Sequence, residues 1–243
     1  MGMGKWIKVL AAMMVVVGGV WAQTIIRTAE ELNNIRNNLN GNFVLGNDID
    51  LTEFLNGGSW SPIPNFRGTF DGNNFVITGV YIRAEYDHIG LFSILRDGSI
   101  IKNLGVEVDI IGRGYVGGLA GYTDGALIEN SYALGKVEGN ERVGGLVGSN
   151  LGRILMSYAI VSVSGTDIYI GGLVGVNHWL IEDAYARGNV EGRDYVGKLV
   201  GLQNQVHTGT PYGIKNTYAT GNVTGGGSGG LVWYSPAKVD TNN

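Results

Sequence analysis

One quartet recurs along the chain at a nearly fixed interval. Val116-Gly117-Gly118-Leu119 returns as Val143-Gly144-Gly145-Leu146, as Ile170-Gly171-Gly172-Leu173 and as Val196-Gly197-Lys198-Leu199. A last copy, Gly229-Gly230-Leu231, lacks the leading aliphatic residue, and Ile89-Gly90-Leu91-Phe92 is a degenerate forerunner. From Ile89 to Val196 the first residues of these copies lie 27, 27, 27 and 26 positions apart. The next interval is longer, and an insertion around His207 to Gly213 accounts for it. Two further blocks keep the same phase. One is Ile128-Glu129-Asn130-Ser131-Tyr132-Ala133, echoed at 154–159, 181–186 and 214–219; the other is Gly135 to Gly139, echoed at 188–192 and 221–225. Three registers locked together mark a repeat protein whose units must stack to bury their apolar faces.

Each period holds three apolar segments of about five or six residues separated by Gly or Asn. Such segments have strand length, and Gly or Asn supplies the positive φ that tight corners require. Stacking one coil on the next at ~4.8 Å places like residues over like. The expected fold is all-β, a right-handed parallel β-helix of 27-residue coils, right-handed winding being the rule for parallel strands joined in sequence. A propeller blade needs about 40 residues or more, and the leucine-rich signature is missing. The 42 glycines among 243 residues are thus periodic rather than a sign of disorder, since only 4 prolines accompany them. With no cysteine, disulfides, thiol nucleophiles and Cys-bound metals are excluded.

The strings VGGLVGSNLGRILMSYA, IGGLVGVNHWLIEDAYARGNVEG and IKNTYATGNVTG resemble the GLUG repeat, named from its Gly-Leu-x-Gly core. The resemblance runs from Ile89 to Leu231, and Phe43 to Leu51 and Gly68 to Asn73 resemble segments that precede such arrays. It implies an exported bacterial or archaeal surface protein, as in haemagglutinin-like adhesins and the noncatalytic parts of immunoglobulin A1-cleaving metallopeptidases. Lys198, where the other copies have Gly, departs from the pattern and is expected at a corner or facing outward, because a lysine is not buried unpaired.

The expected organisation is a signal peptide at 1–22, an N-terminal cap with first irregular coils at 23–88, the repeat array at 89–232 and a tail at 233–243. Lys5 and Lys8 precede the apolar run Val9 to Val20, and Val20-Trp21-Ala22 has a cleavage pattern. The run is too short to span a bilayer, so the mature chain carries no membrane span there. Removing the leader leaves 15 basic residues against 21 acidic ones, an acidic surface that disfavours nucleic acid. Thr28 and Glu31 form a capping box. Leu32, Ile35 and Leu39 line one face of a helix spanning about 28–39, which is expected to cover the first coil. At the other end, Trp233 and Tyr234 precede Pro236 and are expected to fold over the last coil, a thin cap that leaves end-to-end self-association open.

Two sets of residues are candidates for function. Tyr132, Tyr158, Tyr185 and Tyr218 form a ladder, read either as binding aromatics or as a structural stack. Asp48, Asp50 and Asp71 form an acidic group that could serve a sugar-cleaving or Ca²⁺ site, or could simply build turns. The repeat itself rests on Gly117, Gly118, Leu119, Gly144, Gly145, Leu146, Gly171, Gly172, Leu173, Gly197, Leu199, Gly229, Gly230 and Leu231. His88, His178 and His207 have no metal-ligand spacing and read as solvated loop residues. The column Lys102, Glu129, Leu155, Glu182, Lys215, and Asp109 beside Lys136, are expected as charge pairs facing solvent on one sheet. Together these readings point to a secreted or surface, nonenzymatic β-helix without cofactor, binding a glycan or a surface protein along its faces. The alternatives are a carbohydrate-active or carbohydrate-binding β-helix with an N-terminal acidic site, and a spacer in a larger modular protein.

Overall fold

A computed structural model describes residues 23–204 and 213–234. The leader at 1–22, most of the insertion including His207, and Pro236 with its tail lie outside the described residues. Within them the chain is a parallel β-solenoid of three sheets holding twelve, nine and four strands.

One coil shows why these residues make these strands. Glu141–Gly144 lies in the four-stranded sheet, Val147–Leu155 in the twelve-stranded sheet and Tyr158–Gly165 in the nine-stranded sheet. Each strand pairs with its own successor: Val143 with Ile170, Val147 with Val174 and Tyr158 with Tyr185. Alternate residues point inward, so Val116, Val143, Ile170 and Val196 form one fully buried column. Ile101, Ile128, Ile154, Ile181 and Ile214 form another. No coil could bury these faces by itself; the stack closes a core only through its neighbours.

The Gly-Leu-x-Gly motif is explained by close approach at the corner. A Cβ on Gly145 would stand 2.2 Å from the carbonyl oxygen of Gly172 and 2.9 Å from Ala159 Cβ. A Cβ on Gly148 would stand 2.5 Å from the backbone of Tyr115. The leucine between, Leu146, is fully buried. Lys198 lies at the same corner, between strands Asp194–Gly197 and Val200–Gln203, and is half-buried.

The N-terminal end is closed by helix α1 (Ala29–Asn34), continued by a 3₁₀ turn at Ile35–Asn37. Thr28 Oγ1 accepts from Glu31 N–H at 3.1 Å, as a capping box requires. Glu31 reaches one residue further back than expected and accepts from Arg27 N–H. Leu32 and Ile35 are buried, and Leu39 packs on the core. A short second helix, α2 (Thr52–Leu55), was not anticipated from the sequence. At the other end Val232–Tyr234 extends the twelve-stranded sheet as a further strand, pairing Val232 with Val200 and Tyr234 with Leu202.

A polar column runs inside the repeats. Thr123 Oγ1 donates to Asn150 Oδ1, Asn150 Nδ2 to Asn177 Oδ1 and Asn177 Nδ2 to Gln203 Oε1, each at 2.7 Å. All four side chains are buried. The two asparagines also tie down the next turn, through the carbonyls of Gly152 and Trp179. These bonds make burial of four polar side chains tolerable.

Candidate functional site

The structure places the predicted tyrosines in one column on the nine-stranded sheet. Tyr132, Tyr158, Tyr185 and Tyr218 are register partners. Their ring centroids lie 4.8, 4.6 and 5.0 Å apart, with planes within 8° of parallel. A Cβ on Gly105 would touch the ring of Tyr132, so the column continues onto that glycine. The faces of the middle rings are spent on one another. Arg187 lies over Tyr185 and Tyr218 at 5.4 and 5.9 Å. Burial raises the phenol pKa of Tyr158 and of Tyr185.

Each of the three aspartates is engaged by hydrogen-bond donors of its own. Asp50 sits on the nine-stranded sheet and Asp71 on the twelve-stranded sheet. Asp50 Oδ1 accepts from the Thr52 hydroxyl and backbone N–H, which hold its carboxyl below the usual range. Asp48 Oδ1 accepts from Val76 N–H at 2.8 Å. Asp71 accepts from Asn73 N–H and Asn103 Nδ2 and pairs with Lys102 at 3.2 Å. Burial alone would raise its pKa, but these donors outweigh burial and lower it. Among the described residues no three His, Asp or Glu side chains converge as a metal site.

The charge column is in register as expected, Lys102 with Glu129 and Glu182 with Lys215, on the twelve-stranded sheet. Asp109 and Lys136 also pair in register, but on the nine-stranded sheet, so the pairs occupy two sheets rather than one. Their ionic partners also differ. Asp109 takes Arg83 in a bidentate contact, and Lys136 takes Glu138.

A second outward stripe was missed. His88, Tyr115, Arg142, Tyr169 and Tyr195 occupy one position in successive coils, all with left-handed φ between 51° and 65°. For residues with a Cβ this backbone costs roughly 1–2 kcal/mol each. His88 stacks on Tyr115 at 4.7 Å, and the Arg142 guanidinium lies over Tyr115 and Tyr169 at 4.7 and 5.7 Å. Tyr169 and Tyr195 are tilted by 50°. Tyr122, on the adjoining twelve-stranded sheet, meets His88 and Tyr115 edge-on at 5.9 and 6.0 Å. Outward side chains of two adjoining sheets therefore touch, which makes the elbow between them concave. The signal was present in the sequence: the residue just before each Val/Ile-Gly quartet is His, Tyr or Arg in every copy from 88 to 195.

Beside the stripe the twelve-stranded sheet opens into a cavity of about 520 Å³ lined by Asp97, Asp124, Arg153, His178 and Trp179, among others. It forms where strands Ala120–Glu129 and Val147–Leu155 lose register between Asp124 and Leu127. His88 and His178 are half-buried rather than solvated. Burial lowers the pKa of both, and Arg142 adds to the effect at His178.

Known proteins resemble this chain at several levels. Residues 112–138 match the model of the GLUG motif. That match covers one coil, the one whose strands are repeated in register along the array. Over 96 residues the chain is 38% identical to a "Putative Gly-rich membrane protein" of Evansella cellulosilytica, covering 36% of this chain. The chain spans 11% of that curated relative's length. Among solved structures it resembles a "putative immunoglobulin A1 protease from Bacteroides ovatus", with TM-score 0.69 and 23% identity, over 84% of this chain and 68% of that one. An "IgA1 Protease" structure gives TM-score 0.57 and 16% identity, over 90% of this chain and 21% of that one. At these identities the two structures speak for the fold.

Proposed function

We propose that the chain is an exported, nonenzymatic surface β-helix that binds an extended polymer, a glycan or a matrix protein, along its outer face. The observation that carries this reading is the concave elbow. It presents aromatic and cationic side chains at the same position in five successive coils and holds them on strained backbone. Strain of this kind collects where side chains must be aimed. A column repeating at the coil spacing suits a ligand that is itself long rather than a single small substrate. The Tyr132 to Tyr218 ladder serves stability in this reading, since its middle rings are covered by one another. Placement at the surface is supported by the leader pattern and by the name of the Evansella relative.

The test is co-sedimentation of the full chain with insoluble polysaccharides and with collagen or fibronectin, with reducing ends and peptide fragments measured in the supernatant. Saturable retention without products, weakened in Tyr115→Ala/Arg142→Ala, is expected. Release of sugar ends that is lost in Asp50→Asn would instead favour a carbohydrate-active enzyme. N-terminal sequencing of the exported chain should begin at Gln23.

A further inference from the structure

The cavity beside the stripe is a break in an otherwise continuous outer face. Elsewhere one outward column repeats tyrosine, and another runs Lys102, Glu129, Leu155, Glu182, Lys215 in unbroken register. Here the register break at Asp124, with Gly125 in a positive-φ turn at 74°, separates coils that would otherwise lie flush. The space holds side chains that differ from coil to coil: Asp97 and Asp124, then Arg153, then His178 and Trp179.

We propose that this cavity is a binding subsite for hexose units of a neutral oligosaccharide, a proposal that rests on the polymer-binding reading of the neighbouring stripe. Its volume falls within the range of small-ligand sites. The Trp179 indole supplies an apolar surface of the kind that packs against the C–H face of a pyranose. Asp97, exposed at the rim, and Asp124 offer carboxylates to sugar hydroxyls, and Arg153 offers donors. Asp124 is shared with Arg96 at a long 3.4 Å, which leaves acceptor capacity. His178, half-buried, lines the cavity beside Trp179. The two carboxylates offset Arg96 and Arg153, so the lining has no net positive charge to attract phosphate or uronate. Asp124 stands two residues beyond Tyr122 on strand Ala120–Glu129, and Tyr122 meets the stripe at Tyr115, so a chain lying along the elbow can seat one of its units here.

The experiment is isothermal titration of the full chain with maltohexaose, chitohexaose and an oligogalacturonate of similar length, beside the co-sedimentation assay above. A neutral hexamer should bind, and Asp97→Asn or Arg153→Ala, both exposed, should weaken it roughly tenfold. Trp179→Ala should abolish the heat signal, whereas Tyr132→Phe on the opposite ladder should change nothing. Equal affinity in the Asp97 and Arg153 variants would overturn the subsite, as would preference for the oligogalacturonate. So would failure of every hexamer at millimolar concentration while an intact polymer or matrix protein still sediments with the chain; that result leaves the proposed function standing. Absence of any retention in the sedimentation assay would defeat the proposed function itself.

Discussion

The first coils and the later ones enclose the same interior with different fillings. Around Phe70 the core is aromatic: Trp60, Phe66, Phe70 and Phe92 are all buried, with Phe66–Phe92 centroids 5.2 Å and Phe70–Phe92 centroids 5.9 Å apart. The Trp60 indole donates to the Leu91 carbonyl, and the Arg36 guanidinium covers its ring at 5.0 Å. From Val116 onward the interior holds Val, Ile, Leu and Ala with a buried amide column. The coil that starts at Phe70 is also longer than the one that follows directly. Phe70 pairs with Ile101, 31 residues on, whereas Ile101 pairs with Ile128 after 27. Large rings tolerate uneven coils because they fill whatever space is left. In the aliphatic coils the isoleucine column steps by 26 or 27 residues from Ile128 to Ile181, and the step of 33 from Ile181 to Ile214 carries the insertion ahead of Gly213.

Phe92→Ala should have the largest effect, about 3–5 kcal/mol lost in urea unfolding, because no neighbouring ring can refill the gap it leaves. A loss under ~1 kcal/mol would mean that the first coils collapse freely and the contrast is false. Asn177→Ala should cost about 2–3 kcal/mol, since it leaves Gln203 Oε1 without its side-chain donor and takes from Asn150 Nδ2 its acceptor in the next coil. If Asn177→Leu restored the loss in full, the polar column would count only as volume. Gly145→Ala should cost about 1–3 kcal/mol through the clash with Gly172 O, with circular dichroism otherwise unchanged. The smallest effect concerns pH. His178 and His88 are held below the ordinary value of 6.5, first by burial. The unfolded chain therefore takes up these protons first, and their contribution is whole above pH ~6.5 and declines as pH falls below it. His178→Gln should flatten that decline; an unchanged slope would remove His178 from the account.

Most of the solenoid was legible because its period is written in residues that can do only one thing. Tyr132 over Tyr158, the glycine corners and the Thr28 cap all follow from spacing and local chemistry. The irregular coils were not legible, since Trp60, Ile63 and Phe66 obey no period and α2 is too short to announce itself. Asn150 and Asn177 were hidden for a different reason: Asn reads as a turn residue, and nothing local says that its amide points inward. The elbow stripe needed attention to the residue before the motif rather than to the motif itself. The cavity depends on a register break that no spacing reveals.

The buried amides all point the same way. Each hands its proton to the following coil, and Gln203 Nε2 ends the series with a donor that meets no acceptor among the described residues. Stacking is therefore directional, like a zipper with a single slider. An oxygen in the next layer at that position would satisfy the donor, whereas at the Thr123 end the series closes on a hydroxyl beside Leu95. An aliphatic side chain opposite Gln203 would leave the amide unpaired at a cost of about 1–3 kcal/mol, so one side chain per turn sets how favourably the next coil stacks.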